Sequence, residues 1–200
     1  SELNKTMQAQ IKKKDTYKMG IDTLFNLRRQ LMQTLVSFKE DLCREDFNAI
    51  PFINADGYHS KTIAYSIWHI FRIEDIVAHT VITEDEQVFF TGNYQVRINS
   101  PIITTGNELV KQQIADFSKQ LNLEELYSYI FEVRESTEKI LERFSYDELK
   151  WKIPDERKGY LKSLNVVNCD EKAIWLIDYW CSKDIRGLIQ MPFSRHWIMH

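Results

Sequence analysis

Apolar residues recur every three or four positions over long stretches of this chain. That spacing is the 3.6-residue rhythm of an amphipathic helix, with one face turned toward a core. The segments that share the pattern are residues 16–42, 60–83, 106–121, 123–144 and 170–190. A last helix is predicted to begin at Pro192, since proline is well placed in the first turn of a helix. Six glycines and four prolines interrupt the chain, and so few breaks favour long helices over many short strands.

Polar residues suited to capping precede several of these segments. Ser60, Thr105 and Asn122 are predicted N-caps, and Ser145 followed by Glu148 has the capping-box spacing. Residues 48–59 and 154–168 are predicted as connections, and residues 84–104 as a loop, with a short hairpin as the alternative. The chain contains no internal repeat and no flexible linker. We therefore predict one all-α domain over residues 1–200, built as a helix bundle.

Charge and hydropathy argue against a nucleic acid or a membrane as a partner of this protein. The net charge of −3 is nearly balanced, whereas nucleic-acid-binding proteins usually carry a basic face. The short run at residues 12–14 is predicted to be a solvated lysine segment. No apolar run approaches the roughly 18 residues that span a bilayer, and the polar first residues lack the apolar core of a signal peptide. We expect neither a nucleic-acid nor a membrane partner.

The three cysteines are Cys43, Cys169 and Cys181. Their number is odd and they lack the Cys-x-x-Cys spacing, so a disulfide framework is not predicted. Reduced thiols of this kind are typical of a cytoplasmic protein. Each is predicted to be a small buried hydrophobic residue rather than a nucleophile or a metal ligand.

Histidines provide the candidate chemistry. His196 and His200 are four residues apart, so on a helix they share one face. His69 lies in the second long helix, and bundles build metal sites from side chains on facing helices. Two alternatives do not involve a metal site. His196 and His200 would be a chance pair near the end of the sequence, and His69 would be a core histidine whose hydrogen bonds are satisfied. His79 lies about 15 Å further along its helix, too far to bind the same ion.

Other polar groups near these histidines receive weaker assignments. His59 is predicted to lie on the surface. Glu74 and Asp75 are predicted to form a solvated or salt-bridged face, because neither shares the face of His69. Trp197 occupies the position at which His-Glu-x-x-His metalloproteases carry their general base, so that class is excluded. We identify no general acid or base. The polar groups nearest the motifs are Tyr65, Glu74, Asp178 and Tyr179.

Two histidine-containing segments, and a third without histidine, resemble the DinB-like (DinB/YfiT) proteins. Residues 64–75, Ala-Tyr-Ser-Ile-Trp-His-Ile-Phe-Arg-Ile-Glu-Asp, are similar to their second helix, in which an acidic residue follows a Trp-His pair. Residues 191–200 resemble their C-terminal metal-binding helix with its His-x-x-x-His. Residues 178–189 are similar to the corresponding stretch in one branch of the same superfamily. The matching motifs cover about a fifth of the chain.

The resemblance implies a four-helix bundle with an up-down-down-up path and a divalent metal, zinc or nickel. Carried over position by position, the implied ligands are His69, His196 and His200. In the family the last helix continues beyond the second histidine, whereas this sequence stops on it. An imidazole on the final residue is therefore expected to be the least firmly held of the three.

The resemblance also suggests a function. Characterised members include transferases and isomerases that use low-molecular-weight bacterial thiols. A thiol S-transferase or a hydrolase acting on a small molecule is therefore predicted, with such a thiol as co-substrate. The alternative is a non-catalytic, stress-associated bundle that binds a metal. A third reading leaves the histidines without any metal. Homodimers are common in the family, although nothing in this chain specifies an interface.

Overall fold

The fold is all-α, as predicted. A computed structural model of the protein describes residues 1–52 and 60–200, and these residues contain no β-strand. The helices are α1 (Glu2–Gln10), α2 (Tyr17–Asp41), α3 (Arg44–Asn48), α4 (Ile63–Asp75), α5 (Val88–Thr91), α6 (Tyr94–Ile98), α7 (Gln112–Gln120), α8 (Leu123–Glu142), α9 (Glu156–Ser163), α10 (Glu171–Cys181), α11 (Ile185–Gln190) and α12 (His196–Met199). None of these helices is long and apolar enough to cross a membrane.

Helix α4 is the central element of the fold. Of its 13 residues, 11 are buried, so the helix is enclosed on nearly all sides rather than on one stripe. Its side chains join two clusters of buried apolar residues. Trp68 and Phe71 pack with α8 and Trp197, while Ile73 belongs to a second cluster with α2 and α10. Polar residues of α4 therefore lie in the interior, where each needs a partner.

Two π-helical segments flank the regions that carry the histidines. Helix α4 continues into residues Ile76–Thr83 with π-helical hydrogen bonding. A second π-helical segment, Met191–Arg195, leads directly into α12 and carries Pro192 in its first turn. The predicted start of a helix at Pro192 is confirmed, although this first part is not α-helical. Such π-helical turns often occur at functional sites.

Several predicted boundaries are confirmed by their caps. Thr16 precedes α2, and the Asn122 side chain accepts a hydrogen bond from the Glu125 N–H at the start of α8. The Ser145 N–H donates to Glu148 Oε2 at 2.6 Å, as the capping box predicts. Local rules succeed here because each cap lies within three residues of the groups that it satisfies.

Other predicted boundaries were wrong, because residues other than the predicted ones cap the helices. Thr62 rather than Ser60 caps α4, its hydroxyl accepting from the Tyr65 N–H at 2.9 Å. Thr105 caps no helix, and α7 begins at Gln112. The stretch predicted as one helix over 170–190 is divided, since the Asp184 side chain caps α11 through the Gly187 N–H.

The predicted loops contain more helix than expected. Residues 84–104 include α5 and α6, and residues 154–168 include α9. The polar first residues, for which no helix was predicted, form α1. Of the residues 48–59, only 48–52 are described, so the surface position predicted for His59 lies outside the described residues.

The cysteine and lysine predictions have mixed outcomes. All three cysteines are free, but only Cys181 is buried, and Cys43 and Cys169 are exposed. The prediction of a buried thiol was therefore wrong for those two, which lie at or near helix starts rather than on an apolar face. The lysines at residues 12–14 are exposed, as predicted.

Candidate metal centre

Three histidines from two segments that are distant in the sequence come together in the fold. His69 comes from α4, His196 is the first residue of α12, and His200 follows its last residue. Each offers a ring nitrogen, and the three nitrogens lie within 4.8 Å of one another. The ring centroids are separated by 5.0, 4.7 and 4.6 Å. These are the residues singled out from the sequence, and the fold brings all three together.

The closest approach in this cluster suits a shared cation. His69 Nε2 and His196 Nε2 are 3.2 Å apart. Two nitrogens bound at 2.0–2.1 Å to one tetrahedral ion are separated by about 3.3 Å. The cluster has three members, and no cysteine, aspartate or glutamate of the described residues completes it. A group of three protein ligands that leaves a position open is the pattern of catalytic rather than structural zinc sites.

Hydrogen bonding fixes the ring orientation of His69. Its Nδ1 lies 2.8 Å from the carbonyl oxygen of Thr105. A carbonyl can only accept, so Nδ1 must carry the proton and Nε2 presents its lone pair to the other histidines. A backbone carbonyl that orients a histidine in this way is the usual outer partner of a metal ligand.

His196 is not a fully satisfied core histidine. If its Nε2–H donates to His69 Nε2, its Nδ1 keeps a lone pair. That Nδ1 is buried and has no hydrogen-bond partner among the described residues. Buried polar atoms in native proteins are nearly always paired. If an ion were bound at Nε2 instead, Nδ1 would carry the proton and would need an acceptor from outside the described residues.

Burial holds all three imidazoles neutral. Desolvation is the main cause that lowers the pKa of His69 to about 4 and that of His200 to about 3. The pKa of His196 is also lowered well below its usual value, first by burial and then by the neighbouring histidines. Neutral imidazole is the form that binds metals. Near pH 7, protons therefore do not compete for these nitrogens.

A buried ion pair anchors α12 on the rest of the fold. Arg28 donates to Glu74 Oε1 at 2.6 Å and to Glu74 Oε2 at 3.0 Å, and both side chains are fully buried. Trp197 Nε1 donates to the same carboxylate at 2.7 Å, and the guanidinium lies 4.5 Å from the Trp197 ring centroid. Arg28 also donates to the carbonyl of Phe193 at 3.0 Å. The residue between the two terminal histidines is thereby fixed in place.

The roles of the acidic pair differ from expectation on one point. Glu74 and Asp75 are salt-bridged, as predicted, to Arg28 and Arg72 respectively. Neither is solvated, since both are fully buried. Asp75 also accepts from the N–H groups of Val88 and Phe89 at 2.9 Å. Because this carboxylate accepts from the first two N–H groups of α5, it explains why a helix begins at Val88, within the segment predicted as a loop.

A short segment, here called the strap (residues 103–106), is held against α4 through its backbone. Four consecutive carbonyls accept hydrogen bonds from α4 side chains. The donors are Arg72 to residue 103, Trp68 to residue 104, His69 to residue 105 and Tyr65 to residue 106. The last bond lies where Gly106 has a φ of +78°, a conformation that glycine adopts without strain. The strap therefore positions the ring of His69.

Two cavities adjoin the cluster. The histidine cavity, of about 410 Å³, is lined by all three histidines together with Tyr65, Trp175, Tyr179 and Trp180. The α2–α4 cavity, of about 320 Å³, is lined mainly by apolar side chains of α2 and α4 and by Trp197. Lys61 and His200 line both. The candidate metal centre thus faces open space rather than a closed core.

The remaining polar candidates divide between the site and the surface. Tyr65 stacks on His69 with ring centroids 5.6 Å apart, and Tyr179 lines the histidine cavity. Asp178 is exposed and pairs with Lys158. His79 lies outside the cluster and contacts Asp85 and Ser136 at 2.7 and 2.9 Å.

Sequence reasoning missed three contributors to the site. Arg28 carried a signal, because it lies four residues from both Leu24 and Met32 on the buried stripe of α2. Lys61 and Thr105 carried none. Their importance comes from packing between segments far apart in the sequence.

No family model and no curated protein matches this chain. The function is therefore inferred from the three-histidine cluster and the cavities beside it.

Proposed function

We propose that the protein is a divalent-metal-dependent enzyme of the DinB-like kind, with zinc or nickel held by His69, His196 and His200. The observation that carries the proposal is the convergence of three neutral imidazoles, two of them buried and that of His200 partly buried, beside an open cavity. The two motifs that resemble DinB-like proteins contribute these three residues. The proposal includes the four-helix, up-down-down-up arrangement of that family.

The proposed reaction is transfer of a low-molecular-weight thiol to a small electrophile. When bound, the ion supplies a Lewis acid that makes a nucleophile from a thiol or from water near neutral pH. Two cavities that share His200 offer room for two reactants, which favours thiol transfer over hydrolysis. The aromatic walls of the histidine cavity exclude water from one side, and Tyr65 and the strap hold His69 in its ligand orientation.

Metal content is the first test. Protein produced without a histidine tag is loaded with zinc or nickel, desalted and measured by elemental analysis. We expect about one equivalent in the wild type and below about 0.2 equivalents in His69→Ala, because three imidazoles define the site. His79→Ala is the matched control, since it removes another buried histidine of α4's extension and should leave the metal content unchanged.

Activity is the second test. Metal-loaded protein is assayed for conjugation of bacterial thiols to chlorodinitrobenzene, with the His69→Ala variant as the blank. Metal-dependent conjugation by the wild type supports the transferase. A wild type that binds metal stoichiometrically but conjugates none of a panel of thiols would leave only the metal-binding role, and a wild type with less than about 0.2 equivalents of metal would remove both.

A further inference from the structure

Lys61 is the single formally charged side chain among the described residues that line the two cavities. The histidines beside it are neutral, and the described part of each lining contains no carboxylate. Lys61 is half-buried, and it forms no ion pair with any described residue. Its ammonium lies 5.1 Å from the centroid of the Tyr65 ring, which itself stacks on His69. A cation is thus held next to the three histidines without a counter-charge from the described residues.

The surroundings of this cation select for an anion. Half-burial weakens the hydration of the ammonium, which lowers the pKa of Lys61. Lys61 also contributes to the lowered pKa values of His69 and His200, so its charge is felt at the cluster. A divalent ion there would add further positive charge. An anionic group placed between them would be stabilised by both, and charge-assisted hydrogen bonds are stronger than neutral ones.

The α2–α4 cavity defines the rest of the ligand. Its walls are formed mainly by Leu31, Leu35, Phe38, Ile67, Ile70 and Trp197. These side chains offer no hydrogen bond to a polar chain, apart from the indole N–H of Trp197, which already donates to Glu74. Sites of this composition bind apolar groups and use a few polar residues to set orientation. Lys61 and His200 are placed to do so at the end shared with the histidine cavity.

We propose that the substrate class of this site is an organic carboxylate with an apolar body. The carboxylate pairs with Lys61, and the apolar body lies in the α2–α4 cavity with its charged end toward the three histidines. This inference rests on the function proposed above, because it names what that site acts on. The thiol would then bind in the histidine cavity, which has aromatic walls and shares His200 with the α2–α4 cavity.

The test compares octanoate with octanol, which has the same chain without the charge. Binding to the full-length protein is measured by calorimetry, both zinc-loaded and in EDTA. We expect octanoate to bind at least about tenfold more tightly than octanol in both forms, and Lys61→Met to abolish that preference. Lys61→Arg retains it. Lys150→Met is the matched control, since Lys150 lies 5.2 Å from the Tyr146 ring centroid in the same cation–aromatic geometry, away from both cavities.

A second variant locates the apolar body. Thr34 is exposed on α2 and lines the α2–α4 cavity, so Thr34→Trp should block octanoate while leaving Lys61 intact. Its neighbour Gln33 is also exposed but lies outside the lining, and Gln33→Trp should bind normally. Failure of octanoate to bind, equal binding of octanoate and octanol, or insensitivity to Lys61→Met or Thr34→Trp would each overturn the inference. Binding in EDTA is independent of metal content, so this failure is distinguishable from failure of the proposed function.

Discussion

Individual residues of the site are held in states that solvent alone would not favour. His69 is 4% exposed, and its proton is directed to the Thr105 carbonyl, so its free nitrogen is committed to the cluster. His196 and His200 are likewise neutral because burial disfavours their charged forms. The energy that keeps these rings unprotonated is supplied by the packing of α4, α12 and the strap.

Metal-free protein should lose stability as the pH falls below 6.5. The unfolded chain protonates its histidines near pH 6.5, whereas folded His69 resists protonation down to about pH 4. The unfolded state therefore binds more protons in this interval, and the free energy of unfolding falls as the pH is lowered through it. His69 alone contributes a loss of about 3 kcal/mol.

Urea unfolding in EDTA, at steps between pH 7.5 and 4.5, measures this loss. His69→Gln is the comparison, since carboxylates that titrate at the lower end affect both proteins equally. The variant should lose less stability over the same interval. Parallel pH profiles for the two proteins would show that burial of His69 does not set its charge.

At the residue scale, the sequence selected the three histidines that come together but not the residues that support them. The spacing of His196 and His200 and the Trp-His context of His69 were enough to select the three residues. Lys61 and Thr105 could not be selected, since a lone lysine or threonine has no local pattern. Their roles arise because the fold brings them close to His69, and no spacing in the sequence indicates that proximity.

At the scale of elements, α12 is too short to be stable alone. Its four residues form about one turn, and isolated helices of that length do not persist in water. Its position depends on Glu74, which receives hydrogen bonds from both Arg28 and Trp197. The placement of two candidate metal ligands, His196 and His200, therefore depends on one carboxylate of α4.

Glu74→Gln should destabilise the protein by about 3–5 kcal/mol. The substitution keeps the shape but removes the charge, and Arg28 then retains only Glu138, at 3.1 Å, as an anionic partner. Zinc affinity should also fall, by roughly 10–100-fold, because α12 is held less firmly. Urea unfolding and competition with a zinc chelator measure the two effects.

Glu135→Gln is the matched control. It breaks the exposed ion pair between Glu135 and Lys139 on α8 and should change neither quantity appreciably, because solvated pairs contribute little. The double variant Arg28→Met/Glu74→Gln should recover part of the lost stability, since no uncompensated charge is left behind. If Glu74→Gln and Glu135→Gln behave alike, the carboxylate does not anchor α12.

Helix periodicity predicted the long elements well and the short ones poorly. Helices α2 and α8 each have an apolar stripe long enough to be recognised, and apolar residues recur at helical spacing along α4. Helices α5 and α6 are only four and five residues long, and α5 starts where Asp75 accepts two backbone N–H groups. That signal lies on another helix, so periodicity within the segment could not show it.

At the scale of the whole molecule, the cluster joins parts of the chain that are distant in sequence. His69 and His196 are 127 residues apart. A metal bound to both can be retained only by the folded chain, so binding adds directly to the free energy of unfolding. The same ion would couple the two hydrophobic clusters through α4 and α12.

Zinc or nickel should therefore raise the melting temperature, and the increase should grow with the logarithm of the free metal concentration above the dissociation constant. At a free metal concentration about 100 times the dissociation constant, the stabilisation is about 2.7 kcal/mol. Thermal unfolding followed by circular dichroism measures it. His79→Ala should respond as the wild type does, and His69→Ala should not respond. Magnesium, which prefers oxygen ligands, serves as the negative control, and an equal shift with magnesium would contradict binding at the histidines.

The way in which α4 holds the strap has a consequence for how this protein can diverge in evolution. In the four contacts, side chains of α4 donate hydrogen bonds to the backbone carbonyls of residues 103–106, a group that every amino acid possesses. The contacts therefore constrain the backbone path of the segment rather than the identity of its side chains. Substitution at residues 103–105 can proceed while Tyr65, Trp68, His69 and Arg72 stay in register, whereas Gly106, with its φ of +78°, is constrained to glycine. A single inserted or deleted residue would instead shift every carbonyl by one place. Residues 103–105 should therefore tolerate amino-acid substitutions far better than insertions or deletions.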